Sequence, residues 1–123
     1  MIMLNSYKDL IVWQKAMDLA EEVYLLSKRF PKEEQFAFTN QIRRAVVSIP
    51  SNIAEGKGRN SKAEYFHFLS VANGSLSEVD TQLLLAVRIG YLDQHQVTKA
   101  LNLREEVSRM LAALRTKLQD STP

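Results

Sequence analysis

The chain has 123 residues, 46% of them hydrophobic and 24% charged, with a formal net charge of +2. These values exclude a disordered chain and leave room for one core, so a single domain is expected over 1–123, ordered over about 6–119. Four glycines and three prolines are too few for the turns of an all-β domain, and the absence of cysteine removes disulfides, thiolate metal sites and a cysteine nucleophile.

The opening residues MIMLNSYKD lack the basic and apolar regions of a signal peptide. No window approaches about 20 uninterrupted apolar residues, so no membrane span and no membrane partner are expected. The expectation is a cytoplasmic protein.

Apolar residues then recur at helical spacing in four segments. In the first, Val12, Ala16, Leu19, Val23, Leu26 and Phe30 alternate by 4 and 3, with Trp13, Met17, Ala20 and Tyr24 in a row beside them. This predicts a helix over about 9–30, with either a Ser6–Asp9 capping box or Asp9 itself as the cap at its start, and Pro31 at its end. The second stripe, Phe38, Ile42, Ala45, Val46, Ile49 and Ile53, keeps its phase across Pro50. One helix over about 33–56, kinked at Pro50, fits this better than two helices. Glu33 and Glu34 would sit in its first turn, and Gly56 would end it as a C′ residue.

The third segment opens on Ser61-Lys62-Ala63-Glu64, a capping box, and runs through Leu69, Ala72, Leu76, Val79, Leu83 and Ala86 to Gly90, a helix over about 61–90. The fourth opens at Asp93, with Gln96 in capping-box spacing, and carries Val97, Leu101, Val107, Leu111, Leu114 and Leu118, a helix over about 93–119. Four long helices with short loops predict an all-α, up-down-up-down four-helix bundle. They also leave an apolar surplus. Leu83, Leu84 and Leu85 are consecutive, Phe66 and Phe68 point to different sides, and Ile11 and Leu25 lie off the main stripe. A second copy of the chain would bury such a surplus.

Little in the chain points to chemistry. A di-metal bundle needs two Glu-x-x-His motifs. Glu64 to His67 supplies one, and His95 has no carboxylate three residues before it. GKGRNS fails both the Walker and the dinucleotide patterns, and no nucleophile turn precedes a helix. No enzyme activity, metal or cofactor is expected. The dense feature is residues 43–62, where Arg43, Arg44, Lys57, Arg59 and Lys62 face a single acid, Glu55. Arg43 and Lys57 are 14 residues apart, so on one helix they return to nearly one face, roughly 21 Å apart along the axis. With the free N–H groups at the start of the third helix, these five residues make a candidate nucleic-acid contact. By composition alone a solvated face, with Arg43 or Arg44 paired to acids elsewhere, is favoured over that contact, and ion pairs that lock the bend are a further reading.

YKDLIVWQKAMDLA, QIRRAVVSIPSNIAEGKGR and ANGSLSEVDTQL, with GYL before the last helix, closely resemble the bacterial family of 23S rRNA intervening-sequence proteins. They are also similar to the accessory variability determinant of diversity-generating retroelements. The resemblance covers about residues 6–119 and implies a four-helix bundle, assembled as a homopentamer, with no established molecular function. It implies a motif role, structural or at an interface, for Pro50, Asn52, Glu55, Gly56 and Gly58 beside Arg43 and Arg44. The retroelement relative works with a reverse transcriptase and binds nucleic acid through basic residues. Two functional readings follow: a homo-oligomer that binds RNA or DNA backbones electrostatically, or a scaffold for a protein partner such as a polymerase. An unrecognised enzyme ranks last.

Overall fold

The computed structural model describes residues 6–120. Among them four helices, α1 (Ile11–Ser27), α2 (Phe38–Lys57), α3 (Lys62–Arg88) and α4 (Gln94–Asp120), carry the fold, and no strand occurs. Each helix packs on its neighbours in chain order, α1 also packs on α4, and the diagonal pairs make no close backbone approach. Consecutive helices run antiparallel. Along α1 and α4, Lys15 meets Glu106 and Glu22 meets Lys99 (3.0 and 3.8 Å), so one numbering rises as the other falls. This is the up-and-down bundle.

The predicted stripes form the core. Ala16, Leu19, Val23, Ile42, Val46, Ile49, Ile53, Leu69, Val79, Leu83, Val97, Val107 and Leu111 are fully buried. Both later N-caps form, the second as a reciprocal capping box. Ser61 Oγ accepts from Glu64 N at 3.1 Å, and Asp93 and Gln96 exchange bonds of 2.9 and 2.8 Å. Gly90, at φ +87°, ends the stretch after α3 in a conformation that favours glycine.

Several boundaries differ from the sequence expectation, most of all around the first connection. The first helix starts at Ile11, not near residue 9. Ser6 does cap, accepting from Lys8 N at 3.1 Å, but it caps a short 3-10 turn, Tyr7–Asp9, and Leu10 is extended. That helix ends at Ser27, and turn bonds carry the chain through Phe30. The second helix starts at Phe38, not near residue 33. Glu33 and Glu34 lie in a separate 3-10 turn, Lys32–Glu34. Tyr91 donates to Glu34 Oε2 at 2.6 Å, and Phe30 stacks on Phe38 with centroids 5.1 Å apart, which folds this connection onto the bundle end.

The helix then runs unbroken through Pro50 to Lys57. Gly56 is not its C′ terminator. It is buried inside α2, where an added Cβ would lie 2.9 Å from Phe68 Cβ and 3.0 Å from Tyr65 Cδ1. The glycine is there for close packing of α2 on α3.

Candidate functional site

The five basic residues fall into two groups at opposite ends of α2. Arg43 is half-buried. Its Nε donates to Ser27 Oγ at 2.7 Å, and its guanidinium lies 4.9 Å from the Tyr24 ring centroid. Ser27 in turn donates to the Tyr24 carbonyl at 2.9 Å. Arg43 therefore fastens α2 to α1. Arg44, the next residue, is exposed on the outer side of α2 and forms no ion pair among the described residues.

At the other end, Lys57 is half-buried in the last turn of α2, where the helix dipole favours a cation. Arg59 is held by Glu55 at 2.8 Å and by Glu64 at 4.0 Å, with its guanidinium 4.8 Å from the Phe68 centroid. Lys62 is exposed at the first position of α3. The corner thus exists, but two carboxylates share it with its three cations. Glu55 lies inside the basic stretch in sequence, whereas Glu64 lies just beyond it and comes beside Arg59 through its place in the first turn of α3.

The remaining motif residues face inward or pack locally. Asn52 Nδ2 donates to the Ser48 carbonyl at 2.7 Å and to Ser48 Oγ at 2.9 Å. Ser48 Oγ also lies 2.8 Å from Ser75 Oγ on α3. Pro50 is buried, and its missing N–H leaves the Val46 carbonyl without the usual helical donor. Gly58 is exposed at φ −82°, an ordinary conformation. Residues 48–56 are thus mostly a packing seam between α2 and α3.

Above that seam lies a groove of about 810 Å³ that sequence reasoning did not find. Phe36, Phe38 and Ala45 line it, with Arg44 and Glu78 on its banks and Ser48 and Ser75 among its polar groups. Phe36 is 88% exposed. It falls between the predicted stripes, and that off-phase aromatic was the available signal. The apolar surplus is on the surface as well: Ile11, Met17, Leu25, Leu84, Leu85 and Ile89 are all exposed while the core beneath them is complete.

Shifted titrations mark packing rather than chemistry. Burial raises the Tyr65 phenol, and the hydrogen bond to Glu34 raises that of Tyr91. Glu64 is engaged by Arg59 and Ser61, and His67 packs edge-on against Phe68. Among the described residues no three His, Asp or Glu side chains converge as metal ligands, and no helix is long and apolar enough to cross a membrane.

An antiparallel four-helix bundle whose polar motif is spent on helix packing, with apolar side chains left outside, defines the class. The model of the 23S rRNA-intervening sequence protein family matches residues 8–113, and the chain belongs to that family. The chain is similar to a crystal structure from Bacteroides thetaiotaomicron, described as a protein with unknown function from the S23 ribosomal protein family. The identity is 25% and the TM-score 0.79, over 85% of this chain and 98% of that one. No curated protein matches.

Proposed function

We propose that this chain is a non-catalytic subunit that works by association, first with copies of itself. The carrying observation is the set of large apolar side chains left on the helix exteriors, Phe36, Ile11, Leu25, Leu84 and Ile89 foremost, around a core that does not need them. Scattered exposed apolar residues are ordinary, but a complete core with this many outside it is what an oligomer subunit presents. The homopentamer implied by the family resemblance fits the reading.

Association links stability to concentration. The thermal midpoint should rise steadily as the protein is raised from about 1 to 100 µM, because assembly binds only the folded state. A midpoint independent of concentration over that range would speak against self-association.

A second reading, binding of RNA or DNA backbones, is favoured by one observation. Arg44 is exposed and forms no ion pair among the described residues, and Lys57 and Lys62 flank the start of α3. In an assembly each copy would repeat these charges. Anisotropy of a labelled structured RNA across a salt series tests it. A log-linear loss of affinity with salt, lessened in Arg44→Ala, supports phosphate contacts, whereas no binding at low salt removes them. A scaffold role for a nucleic-acid enzyme would then remain as the alternative.

A further inference from the structure

Gly74 has no reason to be glycine within its own subunit. It lies in the middle of α3, exposed, and an added Cβ would meet nothing within 4 Å. Alanine there would favour the helix. Glycine earns such a place where something outside comes close. Glu78, one turn on along the same face, lines the groove between α2 and α3, and Val71 lies one turn back, also exposed.

The groove carries unspent charge. Arg44 stands on its α2 bank and Glu78 on its α3 bank, and neither forms an ion pair among the described residues, whereas Glu34, which also lines the groove, is engaged by Tyr91. The same chain bears a matching strip elsewhere. Met17, Asp18, Glu21, Leu25 and Lys28 follow one another at helical spacing along the outer side of α1, and all are exposed. Asp18 and Glu21 are unpaired among the described residues, between the exposed apolar Met17 and Leu25. The strip therefore offers apolar knobs, two acids for Arg44, and a lysine for Glu78.

A subunit cannot satisfy its own groove with this strip. α1 packs on α2 and α4 and has no close backbone approach to α3, and Asp18, Glu21 and Leu25 of the strip line a groove with Lys15, Lys99 and Leu103 on the α4 side of α1, away from the α2–α3 groove. We infer that the α2–α3 groove receives the outer strip of α1 from a second copy, with Asp18 and Glu21 of one copy meeting Arg44 of the next and Gly74 giving the approaching helix room. The two surfaces differ, so the contact is heterologous. Each copy gives its strip and accepts another, which generates a ring or a filament rather than a closed pair. This inference rests on the self-association reading.

Sedimentation velocity of the full chain tests it. Arg44→Glu should raise the concentration at half-assembly by about tenfold or more, and so should Asp18→Arg/Glu21→Arg. Combining all three substitutions should restore assembly, because the pairing is reversed rather than removed. Gly74→Leu should block assembly while leaving the circular dichroism helical, since leucine is the better helix former. If the wild type assembles and these variants assemble equally well, the groove belongs to a different occupant and the inference fails while self-association stands. If the wild type itself remains monomeric, both fail together.

Discussion

At Gly56 the two helices approach within the space of one methyl group. A Cβ there would press on Phe68 and Tyr65, and its third neighbour, the Tyr65 carbonyl at 3.3 Å, is backbone and yields little. Gly56→Ala should destabilise the fold by about 1–3 kcal/mol, measured by urea unfolding. Gly58→Ala is the matched control. Its nearest contacts are ordinary, at 3.6 and 3.8 Å, so it should be neutral or slightly stabilising. Equal losses at both positions would show that the α2–α3 seam is not as tight as described. The contrast also explains what the motif GKGR left illegible. Spacing alone made Gly56 a plausible helix end, because a glycine required by a neighbouring helix and one required by φ look alike in sequence. Only the contact with α3 separates them. Arg43 is a similar case: its charge was visible, but Ser27 and Tyr24, which absorb it, lie 16 and 19 residues away on another helix.

At the scale of elements, the stripes on all four helices were legible because burial on one face imposes a period near 3.6. The unbroken phase across Pro50 was likewise a sound sign of a continuous α2. The start of α2 was not legible, because two glutamates after a proline read as a first turn, whereas Tyr91 and the Phe30–Phe38 stack hold them in a separate turn. That tie has a pH signature. The hydrogen bond to Glu34 keeps the Tyr91 phenol protonated above its ordinary value of 10.0. Its contribution is therefore complete below that value and is lost as pH rises through the raised one. Tyr91→Phe should lower stability at neutral pH and lose less of it than the wild type between about pH 9 and 11, followed by denaturant midpoint. A variant that tracks the wild type across this range would mean that Tyr91 does not hold the turn.

For the whole molecule, the balance between charge and apolar surface decides the reading. Arg43 and Arg59, two of the cations proposed from sequence, are engaged within the subunit, Arg59 by two carboxylates. The apolar residues outside the core have no comparable use in one subunit. The surplus on the third helix was legible in Leu83, Leu84 and Leu85, because three consecutive leucines span more of a helix than one seam covers. The groove was not, since it is assembled from the turn before α2, the first half of α2 and the middle of α3.

The most direct test is the molar mass of the wild-type chain in solution, by light scattering on a gel-filtration column loaded at about 100 µM, a concentration at which a specific interface is populated. Self-association gives a discrete species of several times the 14.0 kDa subunit mass. A single peak at the subunit mass would contradict it.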